Sequence, residues 1–147
     1  MYTIGQLSRA TGVKVPTIRY YEQIGLIRNA GRSAGNQRRY DQAGVDALNF
    51  VRHARDLGLP VEVIRQLIEM GADPERPCAE VHDIARAHLG DIRARIRRLQ
   101  ALERELVRIT GKCEGEKMRD CNVMLSLGNH GLCAGEHRQS PGANGFD

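Results

Sequence analysis

From Cys78 to Thr110 the chain contains no proline and a single glycine, Gly90. That stretch limits the possible folds more than any other feature. Ala85, Ile92, Leu99 and Leu106 recur every seven residues, and His88, Arg95, Leu102 and Ile109 form a companion series. Leu89 and Ile96 widen the stripe. The pattern predicts one long helix with a coiled-coil-like seam, imperfect in its first half and strong in its second. Such a seam must be covered, either by the chain's own head or by a second copy. Too few other apolar segments remain to cover it, and aromatic residues are scarce, with no Trp, two Phe and four Tyr in 147 residues. A homodimer is the expected solution.

Ahead of this helix the chain is basic. Residues 1–57 hold nine Lys/Arg against four Asp/Glu, a balance of +5; residues 58–112 hold ten against nine; residues 113–147 hold three against five. A localised positive surplus suits a polyanion such as DNA. Residues 3–10 read as a short helix capped by Thr3, with Ile4, Leu7 and Ala10 inward and Gly12 ending it. Pro16 fits the first turn of a second helix, TIRYYEQIGLI, whose inner side is Ile18, Tyr21 and Ile24. Two short helices around a glycine turn form a helix-turn-helix pattern. Lys14, Thr17, Arg19 and Tyr20 fall on or before the second helix and have the chemistry to meet phosphates and guanine. Residues 28–40, RNAGRSAGNQRRY, carry four arginines in thirteen positions. They read as a glycine-tipped hairpin, a wing ending in Arg38, Arg39 and Tyr40. A third helix, 42–57, presents Val45, Leu48, Val51 and Ala54, with Leu57 at its end. A fourth, opened by Pro60, presents Val63, Ile64, Leu67 and Ile68.

These segments, with the later RDLGLPVEVIRQLI, resemble the MerR family of transcriptional regulators over residues 1 to about 127. The resemblance implies a mainly α fold. An N-terminal winged helix-turn-helix head (1–72) leads to a long antiparallel coiled-coil dimerisation helix (78–111). A C-terminal metal-binding loop and short helix (112–128) and a flexible tail (129–147) follow. It also implies that Thr17, Arg19, Tyr20, Asn36, Arg38 and Tyr40 contact DNA and that Arg55 contacts a phosphate. An enzyme would need an acid–base constellation in a pocket, and the sequence offers none.

Four cysteines stand in a chain without an obvious signal peptide or an apolar run of membrane-spanning length, so a cytoplasmic location with reduced thiols is expected. Cys78 begins the long helix and Cys113 lies just past its end. A helix of that length separates them by roughly 50 Å, whereas a metal–thiolate bond is about 2.3 Å. One chain cannot join them, but an antiparallel partner can. The expectation is two identical metal sites per dimer, each made by Cys113 and Cys121 of one chain and Cys78 of the other, as in the resembling family. Three thiolates suit a divalent thiophilic ion: cadmium, zinc or lead first, then mercury. In the family's copper(I) branch the position of Cys78 is typically Ser, which ranks copper(I) third. His82, one turn beyond Cys78, is a candidate fourth ligand, although an exposed or capping role is the simpler reading. Val123, Met124 and Leu127 are expected to pack a short helix on the long one. His130, Cys133 and His137 fall in the tail without an assigned role. The resemblance implies activation of metal-efflux genes: metal binding changes the angle between the heads, distorts the operator and lets RNA polymerase start. A thiol redox sensor is the main rival, and a Cys113–Cys121 disulfide would leave Cys78 unnecessary.

Overall fold

The computed structural model describes residues 1–111, 117–129 and 131. Its elements run α1 (Ile4–Thr11), α2 (Val15–Gln23), β1 (Gly31–Arg32), β2 (Arg38–Arg39), α3 (Gln42–Asp56), α4 (Val61–Gly71), α5 (Ala79–Thr110), a 3₁₀ turn (Met118–Asp120) and α6 (Asn122–Gly128). The mainly helical fold is that expected from the sequence. The described residues fall into two compact units, divided between Ile84 and Ala85.

In the first unit, α1 begins with a reciprocal cap. The Gln6 amide donates to the Thr3 hydroxyl oxygen (3.1 Å), and the Thr3 amide donates to the Gln6 side chain (2.8 Å). This satisfies two amides that the helix start would otherwise leave without partners. Gly12 ends the helix in the left-handed region, with φ 73°. A Cβ there would also stand 2.6 Å from Arg52 Nη1. Leu7 is buried as expected, but Ala10 is exposed and Thr11 takes the inward place. A threonine is tolerated there because its hydroxyl donates to the Leu7 carbonyl (2.8 Å) and accepts from the Val13 amide (3.3 Å).

The core gathers Leu7, Ile18, Tyr21, Leu48, Val51 and Ile64, drawn from α1 to α4, and Tyr40 beside β2. Leu57 caps the end of α3, where the sequence places it, and is exposed. Two arginines tie the helices together. Arg52 of α3 donates to the Thr11 carbonyl at the end of α1. Arg65 of α4 donates to the Ile24 carbonyl just past α2 (2.7 Å). Both satisfy carbonyls that a helix terminus leaves open.

Helix α5 runs unbroken through 32 residues, about 48 Å at 1.5 Å per residue. In the second unit its seam faces outward: Leu99 is 46% exposed and Leu106 59%. Among the described residues its fully buried positions fall in the last turns, where Ile109 is buried and the Asn122 side chain donates to the Ile109 carbonyl (2.8 Å). Helix α6 forms where expected but turns differently. Ser126 is buried, whereas Met124 and Leu127 are exposed and so do not pack as expected. Among the described residues no helix is long and apolar enough to cross a membrane.

Candidate functional site

The head presents one basic surface built from α2 and the wing. Helix α2 buries Ile18 and Tyr21, which leaves Lys14, Arg19 and Tyr20 exposed and Thr17 half-buried. The Tyr20 and Tyr21 rings lie 5.9 Å apart at 46°, a spacing suited to aromatic pairing. In the wing, Gly31 pairs with Arg39 and Arg32 with Arg38 in antiparallel register. The tip turns through Asn36, whose φ is 63°. Asparagine visits this region more readily than most residues. So the left-handed residue at the tip is Asn36, where the sequence suggests glycine. The Arg32 guanidinium donates to the Asn36 carbonyl (3.2 Å) and to its side-chain oxygen (3.4 Å). A cleft of about 300 Å³ opens among Thr3, Ile4, Arg19, Asn36, Gln37 and Arg38. It joins the start of α1, the exposed side of α2 and the wing.

A carboxylate that sequence reasoning missed organises this surface. Glu22 Oε1 accepts from Asn29 Nδ2 (2.8 Å) and Arg38 Nε (2.7 Å), and Oε2 accepts from the Tyr40 hydroxyl (2.6 Å). Burial alone would raise the Glu22 carboxyl. Hydrogen bonds from Tyr40, Asn29 and Arg38, with the Arg38 charge, outweigh burial and hold it below its ordinary value. Burial and the Glu22 carboxylate together push the Tyr40 phenol well above its usual range. The one available signal was compositional: Glu22 is the sole Asp or Glu in residues 1–40.

Tyr40 therefore departs from its expected role. It is fully buried and its hydroxyl is committed to Glu22, so it anchors the wing from inside the head. Its backbone also exchanges hydrogen bonds with Tyr2 (2.6 and 2.8 Å). Arg55 is exposed near the end of α3, with Nη1 donating to the Leu59 carbonyl (2.9 Å).

Of the expected thiols, Cys78 is exposed immediately before α5, and its carbonyl accepts from the His82 amide (3.0 Å). His82 is exposed one turn on. Cys78 also lines an apolar cavity of about 700 Å³ with Phe50, Leu57, Leu67, Met70 and Val81. Cys121 is half-buried at the cap of α6, and its carbonyl accepts from Leu125 (2.9 Å). Cys113, like His130, Cys133 and His137, lies outside the described residues. Among the described residues of one chain, no three His, Cys, Asp or Glu side chains are grouped to hold a metal ion.

Residues 2–71 match the family model described as MerR HTH family regulatory protein, and residues 45–109 match that described as MerR, DNA binding. Heavy metal-dependent transcription regulator 2 of Rhizobium meliloti (strain 1021) is 38% identical over 126 residues, covering 86% of each chain. The chain belongs to the MerR family. Another MerR-like relative, HTH-type transcriptional regulator ZntR of Escherichia coli (strain K12), is 39% identical over 130 residues, covering 86% of this chain and 92% of ZntR. The crystal structure of the transcription regulator PbrR691 from Ralstonia metallidurans CH34 in complex with lead(II) superposes with a TM-score of 0.76. It has 36% identity and covers 86% of this chain and 99% of that one. This MerR-family protein is thus a DNA-binding transcriptional regulator, not an enzyme.

Proposed function

We propose that this MerR-family protein is a homodimeric, heavy-metal-responsive regulator that activates metal-resistance genes on binding cadmium, zinc or lead. The observation that carries this reading is an exposed thiol, Cys78, at the start of an unbroken 32-residue helix. Such a helix is about 48 Å long, so a ligand set that unites Cys78 with Cys113 and Cys121 must draw on two antiparallel chains. The half-exposed seam of α5 supports that pairing. The relatives support the effector class: one is named heavy metal-dependent, and PbrR691 was solved with lead(II).

The donor set fits such an ion, since thiolates are soft ligands and three of them favour divalent thiophilic metals. Cys113 and Cys121 of one chain would hold it with Cys78 of the partner. The ion supplies a cross-link between chains when bound. The remaining steps belong to the protein. Cys121 caps α6 and Asn122 fastens α6 to the Ile109 carbonyl at the end of α5. A pull on Cys121 therefore reaches the dimerisation helix directly. Cys78 lies against the α3–α4 side of the head, so its tethering biases the head.

Lys14, Thr17, Arg19, Tyr20, Asn36 and Arg38 would grip promoter DNA, with Arg55 adding a phosphate contact. Two heads gripping one operator pass any change of angle to the DNA as bend or untwist. RNA polymerase then starts at the distorted promoter. The effector need only favour the activating conformation over the repressing one.

Anaerobic transcription from the operator-bound dimer, titrated separately with cadmium, zinc, lead, mercury and copper(I), tests the proposal. Induction by a divalent ion, lost in Cys78→Ser, is expected. Equal transcription with and without every ion would sink it.

A further inference from the structure

We propose that Glu22 is a positioning residue that fixes the wing against α2 and so sets the reach of Arg38 toward DNA. The inference rests on the reading above that Arg38 grips promoter DNA. A carboxylate on a DNA-binding surface weakens binding by repulsion. Glu22 nonetheless occupies one, as the sole acidic residue among the first forty, with its side chain 14% exposed. Its three donors all come from residues 29–40, on both sides of the hairpin. The wing needs such an anchor. Its strands are two residues each, and isolated two-stranded hairpins are marginal at best.

The bond from Arg38 uses Nε, so the carboxylate orients the guanidinium while its terminal nitrogens keep the donors that suit phosphate. Arg19 lies three residues before Glu22 on the same helix face, and Arg19 and Arg38 line one cleft. Holding two like charges there costs Coulomb energy, which an adjacent carboxylate offsets. Tyr40 makes the anchor stiff. It is fully buried, bonded through its backbone to Tyr2 and through its hydroxyl to Glu22. Tyr40 thus joins the wing both to the segment ahead of α1 and, through Glu22, to α2.

The test uses the full-length dimer with operator DNA, combining amide hydrogen exchange with binding. The Ala30 and Ser33 amides report on the wing, because they donate to the Arg39 and Gln37 carbonyls (both 2.8 Å). In Glu22→Ala they should exchange about tenfold faster or more while α1 and α3 keep their protection, as loss of charge-assisted bonds implies. Arg38→Ala should weaken DNA binding about tenfold in the wild type but less than about threefold in Glu22→Ala, since coupled residues are not additive. Glu22→Gln, whose amide oxygen still accepts from Arg38 Nε, should recover part of both effects.

Unchanged wing exchange in Glu22→Ala overturns the inference, whatever Arg38→Ala does. No binding loss for Arg38→Ala in the wild type overturns the Arg38 contact alone, and wing exchange then decides the positioning role. If Glu22→Ala does not fold, Glu22→Gln and Tyr40→Phe take its place. Wild-type wing exchange in both overturns the inference, and faster exchange in both supports it.

Discussion

Single side chains that cross between elements give the head its definition. Arg52 and Arg65 close the ends of α1 and α2, and Glu22 closes the wing. The Glu22 carboxylate carries a pH signature. Its folded pKa lies below the ordinary value of 4.5, so its contribution to stability is fully present above that value. The contribution is lost as pH falls through the folded value. Glu22→Gln should therefore be less stable than the wild type at neutral pH by about 1.5–3 kcal/mol, the range for hydrogen bonds to charged groups. The gap should close below pH 4.5 as the wild-type carboxyl takes up its proton. Urea unfolding across pH 3–7 (a range of roughly the carboxylate titration) reads this directly. A gap that stays constant over that range would remove the Glu22 charge from the account of head stability. None of this was legible residue by residue, because Glu22 meets partners 7, 16 and 18 positions away. Local pattern assigns faces, and it placed Arg19 and Tyr20 outward correctly. The family resemblance implied that Tyr40 is a contact, and nothing local to residues 38–40 shows that the tertiary fold buries it.

Among the elements, those with a strong apolar period were readable almost to the residue. Val45, Leu48, Val51 and Ala54 line the buried side of α3 as their spacing requires, and α5 spans Ala79–Thr110 against a reading of 78–110. Short elements were less legible. In α6 only seven residues set the phase, and Ser126 turned inward where Met124 and Leu127 were expected. The seam phase of α5 yields a further prediction. With Ala85 and Ile92 on the seam, Gly90 lies on the opposite side, is exposed, and has nothing within 4 Å of an added Cβ. A glycine inside a helix costs about 0.5–1 kcal/mol relative to alanine. Gly90→Ala should thus raise the thermal midpoint of the dimer, measured at fixed protein concentration because assembly and stability are linked. A lower midpoint would mean that the glycine side of α5 is covered in the dimer and that the seam is assigned to the wrong side.

For the molecule as a whole, the proposed sensor divides its ligands between chains, and that division can be tested without knowing the inducing metal in advance. A Cys78→Ser protomer keeps Cys113 and Cys121, and a Cys113→Ser/Cys121→Ser protomer keeps Cys78. Either homodimer lacks part of every site. A heterodimer of the two holds one complete site if ligands are shared across the antiparallel seam, and none if each chain builds its own. Co-refolding the two, with different affinity tags to isolate the heterodimer, should therefore restore about one bound ion per dimer where both parents bind none, with the metal–thiolate absorbance as readout. The expectation follows from helix length: 32 residues of α5 stand as about 48 Å between thiols that must approach a common ion within about 2.3 Å. The same dimers address regulation. Half-site occupancy tethers only one head, so transcription at saturating metal should fall below that of the wild type yet exceed that of either parent. A heterodimer as silent in metal binding as its parents would place all ligands within one chain. The long helix would then serve dimerisation alone.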